Sequence, residues 1–270
     1  MESNLVLEFP FPWGLEVIQT SRLYETNVNK QGTLMKIVRY GGFYDIDIEF
    51  QDEFHYVKEH QLYSNFKSGG VKNPYDRTVY GVGYIGIGRH KVSINKVVTP
   101  VYKAWAGMLE RCYSENMKHR NNSYFHIATV CEEWHNFQVF GDWYEKNKYQ
   151  TDERLHVEKD ILVARNKIYS PDTCLLVPQA INALFMNKSN NRGLPNGIIR
   201  QGKGYLAKYN GEELGTYETV EKAYEIYAIE KKKNIVMVAN QYKDKIPTKL
   251  YEALLNYEFR IENDRNYMAA

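Results

Sequence analysis

Residues 197–242 read GIIRQGKGYLAKYNGEELGTYETVEKAYEIYAIEKKKNIVMVANQY, and this stretch decides the fold of the C-terminal part of the chain. Three short runs, 198–200, 205–209 and 213–217, have the composition of β-strands. Turn residues 201–204 and the hairpin-favouring pair Asn210 and Gly211 separate them. Thr219 then provides the N-cap of a helix that begins at Val220 and continues toward Tyr242. The stretch predicts a three-stranded meander packed on one long helix.

The same stretch resembles the APETALA/ethylene-response-factor DNA-binding domain, and Ile226 with Tyr227 departs from that family's usual Ala-Ala-Tyr run. The residues that match are, in order, Gly197, Ile198, Gly204, Tyr205, Leu206, Ala207, Leu214, Gly215, Thr216, Tyr217, Thr219, Ala223 and Tyr227. In that family the sheet enters the major groove and the helix packs behind it. The resemblance therefore implies that four residues face DNA, namely Arg200, Lys203, Tyr205 and Lys208. Arginine can grip guanine with two hydrogen bonds and lysine mainly meets phosphate. The alternative is that these are solvated strand residues.

Residues 155–187 predict a second small unit. Residues 155–162 and 173–177 have the pattern of strands, and 179–187, after Pro178, that of a short helix. Strand, loop, strand and helix is the layout of a ββα-metal site, and the segment resembles the core of HNH endonucleases. In that family an Asp-His pair on the first strand supplies a metal ligand and the general base. A loop asparagine holds the base, and an asparagine or histidine on the helix completes the site.

Laid on this sequence, the family's Asp-His pair falls at Glu158 and Lys159, the loop asparagine at Asn166 and the helix asparagine at Asn182. Glu158 can bind a divalent cation such as Mg²⁺ through its oxygens. A lysine amine, in contrast, is protonated at neutral pH and does not readily take a proton from water. Lys159 can hold a phosphate instead.

A rearranged site is the other interpretation of this strand. Successive side chains of a strand point to opposite faces, which predicts that His156, Glu158 and Asp160 share one face. Lys159 is then expected on the other face. His156 would then serve as the base, with Glu158 or Asp160 and the helix residue Asn182 as metal ligands. The alternative is a core that keeps its shape without the chemistry.

The first 95 residues predict a β-rich module, and a helical region follows it. Residues 43–50, FYDIDIEF, alternate apolar and acidic side chains, residues 33–40 precede them across Gly41 and Gly42, and a third strand is expected near 54–57. Thr99 and Pro100 start a convincing helix. A second helix, rich in aromatic residues, is expected over about 131–147, and we expect the two helices to pack together.

The composition is that of a folded chain. Of 270 residues 43% are apolar and 23 are Tyr, whereas a disordered chain would lack the aromatics. The net charge of +2 permits nucleic-acid binding without arguing for it. Three widely spaced cysteines do not predict a disulfide framework. No run is long enough to span a bilayer and the start lacks the plan of a signal peptide, so a cytoplasmic protein without a membrane partner is expected.

Together these patterns predict an α+β chain in three parts: an N-terminal β-rich module (1–95), a central helical and HNH-like ββα region (96–190), and an APETALA/ERF-like DNA-binding domain with a helical tail (191–270). The plan resembles homing-type HNH endonucleases of phages and mobile elements. It implies double-stranded DNA as the partner and, if the core is active, Mg²⁺-dependent phosphodiester hydrolysis. Two alternatives stay open: a catalytically inactive DNA-binding protein, and a phage accessory protein that binds a host protein.

Overall fold

The computed structural model describes residues 21–116, 127–186, 190 and 192–267. Contacts between residues divide the chain into two compact units, Met1–Asn73 and Pro74–Ala270. In the described part of the chain the first unit combines one short helix with one antiparallel sheet, and the second combines several helices with small sheets whose strands are mostly antiparallel. The α+β class expected from the sequence is therefore confirmed. Among the helices that the structure describes, none is long and apolar enough to cross a membrane.

A four-stranded antiparallel sheet forms the first unit, with its strands in chain order. Its elements are β1 (Thr26–Val28), β2 (Leu34–Tyr40), β3 (Ile46–Phe50), β4 (Val57–Gln61) and the short helix α1 (Tyr63–Lys67). The alternation expected in β3 makes Ile46, Ile48 and Phe50 a fully buried row. The strand expected near 54–57 begins only at its last residue, because the Asp52 carboxylate accepts the backbone N–H of Phe54 at 3.0 Å and forms a turn there.

Two helices form the first core of the second unit. The helix α2 (Pro100–Tyr113) begins as predicted, because Thr99 Oγ1 accepts the backbone N–H of Tyr102. The second predicted helix is divided into a 3-10 turn, Glu132–His135, and α3 (Phe137–Asn147). Asn136 between them is extended, and its side chain caps α3. Aromatic residues of both helices are buried together, which confirms that the helices pack.

Short strand pairs accompany these helices. A hairpin of β5 (Ser93–Ile94) and β6 (Val97–Val98) precedes α2, and β7 (Thr129–Val130) pairs in parallel with β9 (Ile168–Tyr169). The strands β8 (Leu155–Glu158) and β10 (Leu175–Pro178) form an antiparallel pair, and α4 (Gln179–Leu184) follows β10 at once. The predicted strand–loop–strand–helix order is therefore present, although the first strand ends at Glu158 rather than at residue 162.

The C-terminal meander consists of β11 (Ile198–Gln201), β12 (Gly204–Tyr209) and β13 (Glu212–Tyr217), as the turn residues predict. The 23-residue helix α5 (Val220–Tyr242) packs on one face of the sheet, and Thr219 Oγ1 accepts the N–H of Lys222. The helix α6 (Thr248–Asn256) and a 3-10 turn, Ile261–Asn263, complete the chain that the structure describes.

One hydrophobic core joins the middle of the chain to its end. Val177 of β10 and Ile181 of α4 pack with Ile235 and Ala239 of α5 and with Leu254 of α6. Residues on both sides of the boundary expected after 190 therefore share this core, and the second compact unit starts at Pro74.

Candidate nucleic-acid interface

The ββα segment, residues 155–184, places His156 and Glu158 on the face of the strand pair that α4 covers. Their cross-strand partners are Val177 and Leu175, respectively; Val177 belongs to the hydrophobic core that contains Ile181 of α4, and Leu175 packs against that core. The predicted sharing of a face by His156 and Glu158 therefore matches the geometry. The helix residue Asn182 lies on α4 and is half-buried.

Lys159 is buried, and its ammonium group has several partners. Lys159 Nζ donates to the two carboxylate oxygens of Asp160 at 2.7 and 2.8 Å and to the carbonyl oxygen of Asn166 at 2.5 Å. It also lies 5.8 Å from the ring centroid of Tyr169. Because the strand ends at Glu158, Asp160 lies in a turn and its carboxylate meets Lys159 instead of continuing the face of His156. The ammonium group thus occupies the position in which a cation bound by Asp160 would lie.

Asn166 fixes the loop that follows the first strand. Its Nδ2 donates to the carbonyl oxygens of Lys159 at 3.2 Å and Ile168 at 2.7 Å, and its Oδ1 accepts the N–H of Ile168 at 3.0 Å. The loop asparagine therefore holds the main chain of Lys159, the residue that stands at the position of the HNH family's general base.

Glu158 lies in a buried and acidic environment. Its Oε1 accepts the backbone N–H of Lys159 at 2.9 Å and of Asp160 at 2.7 Å. Burial, reinforced by the charge of Asp160, raises the pKa of Glu158. Burial also raises the pKa of Tyr257 to about 12, with smaller effects from Asp160 and Glu158, so this phenol lies in the field of both carboxylates. The Tyr257 ring in turn contacts the ring of Phe185 edge-on at 4.9 Å between centroids.

The residues of the ββα segment, as arranged, do not fit a divalent metal. Mg²⁺ needs hard oxygen ligands in nearly octahedral geometry and keeps several of its waters. Asp160 is already neutralised by an ammonium group at hydrogen-bonding distance, and burial disfavours the ionised form of Glu158. A site built on Glu158, Asp160 and Asn182 would first have to lose the Lys159 contact.

His156 differs from its neighbours because its imidazole lacks a full set of partners. Its Nε2 is buried and has no hydrogen-bond partner among the residues that the structure describes. Burial lowers the pKa of His156, and the positive charge of Arg154 lowers it further. Both effects favour the neutral form of the imidazole.

A second acidic group lies in the first unit, where Asp45, Asp47 and His60 bring their ligand atoms within 4.8 Å of one another. Arg39 lies between the two carboxylates and makes four hydrogen bonds to them, at 2.6 to 2.9 Å. Its guanidinium holds the pKa of Asp45 well below its usual range. The group is therefore an ion-pair network in which arginine already supplies the positive charge.

The three-stranded sheet has one face on the helix and one face turned away from it. Ile198 pairs with Ala207 in the register, and both are fully buried against α5. Paired residues share a face and successive residues alternate. Arg200 and Tyr205 are therefore in the row on the helix side, at the end of the sheet.

The four predicted DNA contacts do not share one face. Arg200 and Tyr205 meet: Arg200 Nη1 donates to the Tyr205 hydroxyl at 2.8 Å, and the guanidinium lies 5.1 Å from the ring centroid. Lys203 is exposed in the turn between β11 and β12. The bulge after Ala207 leaves Lys208 opposite Glu213, on the outer face, with 3.9 Å between the charged groups.

Gln201 and Thr216 belong to the outer face and were missed by the sequence reasoning. Thr216 Oγ1 donates to Gln201 Oε1 at 2.5 Å across Gly204, which has no side chain to separate them. Both lie next to the Lys203 turn. Strict alternation outward from the buried Ile198 would have identified Gln201, because the two are three positions apart in one strand.

No family model, curated protein or solved structure matches this chain. The resemblances to the APETALA/ERF and HNH families therefore rest on the residues quoted above.

Proposed function

We propose that the chain binds double-stranded DNA through the Arg200–Lys203 end of its three-stranded sheet and does not hydrolyse it. One observation carries the proposal: exposed cations and hydrogen-bonding side chains meet at this end of the sheet, where Arg200 lies in the row on the helix side and Gln201 in the row on the outer face. Arg200 and Lys203 are exposed, and Gln201 is paired with Thr216 beside them.

The chemistry of these side chains suits a DNA duplex. A guanidinium and an amide can each make two hydrogen bonds to a base edge, while an exposed ammonium neutralises phosphate. Packing of Arg200 on the Tyr205 ring lowers the entropy that the arginine would lose on binding. A protein of a phage or mobile element would meet such DNA in the cytoplasm of its host.

The environment of Lys159 supports binding without cleavage. A metal-dependent ββα nuclease stabilises the leaving oxygen with a divalent cation. Here the Lys159 side chain is hydrogen-bonded to Asp160, and the same lysine stands at the general-base position of the family. We infer that the ββα segment serves as a rigid support for the DNA-binding surface.

Fluorescence anisotropy with a labelled duplex tests the proposal. Arg200→Ala/Lys203→Ala is compared with Lys222→Ala/Lys249→Ala, which removes the same charge from exposed helix positions. We expect the first variant to weaken binding roughly 10- to 100-fold, because one arginine–base contact is worth about 1–3 kcal/mol and one phosphate contact is lost as well. Equal affinities for the two variants would contradict the proposed surface.

The buried Nε2 of His156, which has no hydrogen-bond partner within the described part of the chain, favours a second candidate function, phosphodiester hydrolysis with His156 as general base. Supercoiled plasmid incubated with Mg²⁺ or Mn²⁺ separates the two candidates. Nicking that is lost in His156→Ala and in Glu158→Ala would establish the nuclease. DNA retention without nicking in any metal is the result expected from the first proposal. Binding to a host protein, the remaining alternative, predicts that the chain does not retain DNA at any salt concentration.

A further inference from the structure

A groove of about 720 Å³ lies in the second unit, and none of its lining residues belongs to the Arg200–Lys203 end of the sheet. Its walls are the loop at residues 89–91, the first turn of α2, the last turn of α3 and the chain that leads into β8. Five cationic side chains line the groove, against two carboxylates; the cations are Arg89, Lys91, Lys103, Lys148 and Arg154. We call this the basic groove.

Both carboxylates of the basic groove already have partners. Glu153 accepts the backbone N–H of Ala180 at 2.9 Å and the hydroxyl of Tyr242. Glu145 is paired with Lys148 at 2.6 Å. Glu145 is thus neutralised by Lys148, whereas the partners of Glu153 are neutral donors and leave its charge in place. With five cations against two carboxylates, the side chains that line the groove still carry a net positive charge.

Three cations of the groove are exposed and uncommitted. The side chains of Lys91, Lys103 and Arg154 make no hydrogen bond or ion pair with any residue of the ranges that the structure describes. The N-terminus of α2, at Pro100 and Val101, adds the positive end of a 14-residue helix to the same wall. Such a concentration of unpaired positive charge in a groove attracts polyanions.

The position of the groove relates it to the ββα segment. Leu155, the first residue of β8, lines the groove. His156 follows Leu155 in β8, and Arg154 lies close enough to it for the arginine charge to lower the imidazole pKa. Burial of His156 is the larger cause of that lowering. An anionic chain in the groove would therefore lie beside the strand that the HNH resemblance singles out.

We propose that the basic groove binds the sugar–phosphate backbone of the same DNA duplex, as a second contact that is independent of sequence. This inference rests on the proposed DNA binding and deepens it. Lys91, Lys103 and Arg154 each neutralise one phosphate, whereas Arg200 and Lys203 act at the sheet end. The groove contributes affinity and a fixed orientation, because phosphate contacts set the register of a protein on DNA.

The test uses the full chain and a labelled duplex of mixed sequence, titrated at several salt concentrations. The variant is Lys91→Ala/Lys103→Ala/Arg154→Ala. A control with the same change of net charge is Lys222→Ala/Lys233→Ala/Lys249→Ala, at helix positions outside the groove. Circular dichroism melting checks the fold, and we expect an unchanged midpoint because the three groove side chains are exposed.

Loss of three phosphate contacts should reduce the slope of log affinity against log salt by about 3, and should weaken binding roughly 100-fold at about 0.15 M salt. The control triple should retain most of the wild-type affinity and slope. The charge-preserving variant Lys91→Arg/Lys103→Arg/Arg154→Lys should also bind nearly as the wild type does.

The outcomes separate the two proposals. If the wild type binds duplex and the groove triple behaves as the control does, the groove inference is overturned and the sheet-end proposal stands. If the wild type binds no DNA, both fail. If the groove triple loses affinity for a single strand but not for the duplex, the groove belongs to single-stranded nucleic acid, and the duplex assignment is wrong.

Discussion

Substituting methionine for Lys159 tests the interpretation of the ββα segment most sharply. The side chain is 7% exposed, and its ammonium donates to Asp160 and to the carbonyl of Asn166. Methionine fills a similar volume without the charge. It leaves the Asp160 carboxylate without its cation and one carbonyl without its donor.

The expected cost follows from these contacts. Removing one partner of a fully buried ion pair costs about 3–5 kcal/mol. The Asp160 side chain is 30% exposed, so water recovers part of that loss. We therefore expect the free energy of unfolding to fall by about 2–3 kcal/mol.

An exposed pair of similar length serves as the matched control. Lys222 and Glu225 lie 2.7 Å apart with side chains 56% and 57% exposed, and Lys222→Met should cost less than about 0.5 kcal/mol. The double variant Lys159→Met/Asp160→Asn should recover part of the loss, because the uncompensated charge is gone.

Urea unfolding followed by tryptophan fluorescence measures all three variants. Trp105, Trp134 and Trp143 belong to the second unit, which contains the ββα segment. If Lys159→Met lowers the free energy of unfolding no more than Lys222→Met does, the Lys159 ammonium group does not stabilise the loop that contains Asn166. In that case Lys159 does not fill a cation position next to Asp160.

Three further predictions follow from local geometry. Gly197→Ala should lower the free energy of unfolding by about 2–5 kcal/mol, because φ is +80° at this position and a Cβ would lie 2.2 Å from Tyr227. The control Gly202→Ala has a φ of +58° but no atom within 4 Å of the added Cβ, so it should lower the free energy of unfolding by only about 1–2 kcal/mol. Burial lowers the pKa of Lys231 from its usual 10.5 to about 8. Between pH 8 and pH 10.5 the unfolded chain therefore holds a proton at this lysine that the folded chain lacks, and the stability of the wild type should rise with pH across this window. Denaturant titrations should show that rise lost in Lys231→Met, and a rise of equal size in that variant would be the opposing result. Lys159→Ala should gain stabilisation by millimolar Mn²⁺ in a thermal melt while the wild type does not; equal shifts in both proteins would count against a blocked metal position.

Local signals made much of the fold predictable. Thr99 and Thr219 cap their helices through hydrogen bonds that span three residues, and the turns of the C-terminal meander are set by glycines. Caps and tight turns depend on a few neighbouring residues, so the sequence alone carries their pattern. The same holds for the alternating row of β3, in which apolar and acidic residues follow a strict period of two.

The details of the candidate surfaces depend on contacts between residues far apart in the chain, and they were harder to predict from the sequence. The bulge after Ala207 shifts the register between β12 and β13. No local sequence pattern predicted which face of the sheet the helix would cover. The break at Asn136 divided a stretch that had the composition of one helix. The shared core of α4, α5 and α6 joins residues far apart in the chain.

The ββα site illustrates the same limit in its chemistry. The order of strands and helix could be predicted from composition. The contacts of Lys159 with Asp160 and Asn166 could not, because they form only where β8 ends at Glu158 and the following loop turns back toward Lys159. The tail brings Tyr257 into the field of Glu158 only through tertiary packing. The basic groove likewise gathers cations from four separate segments, none of which is strongly basic by itself.

Binding of the unmodified chain to duplex DNA, measured by fluorescence anisotropy between low and high salt, is the direct test of whether this protein binds DNA. We predict saturable binding whose affinity falls steeply with salt, with a slope that corresponds to at least four phosphate contacts, about one each from Lys203, Lys91, Lys103 and Arg154. Retention of no duplex at low salt, where phosphate contacts are strongest, would contradict the account.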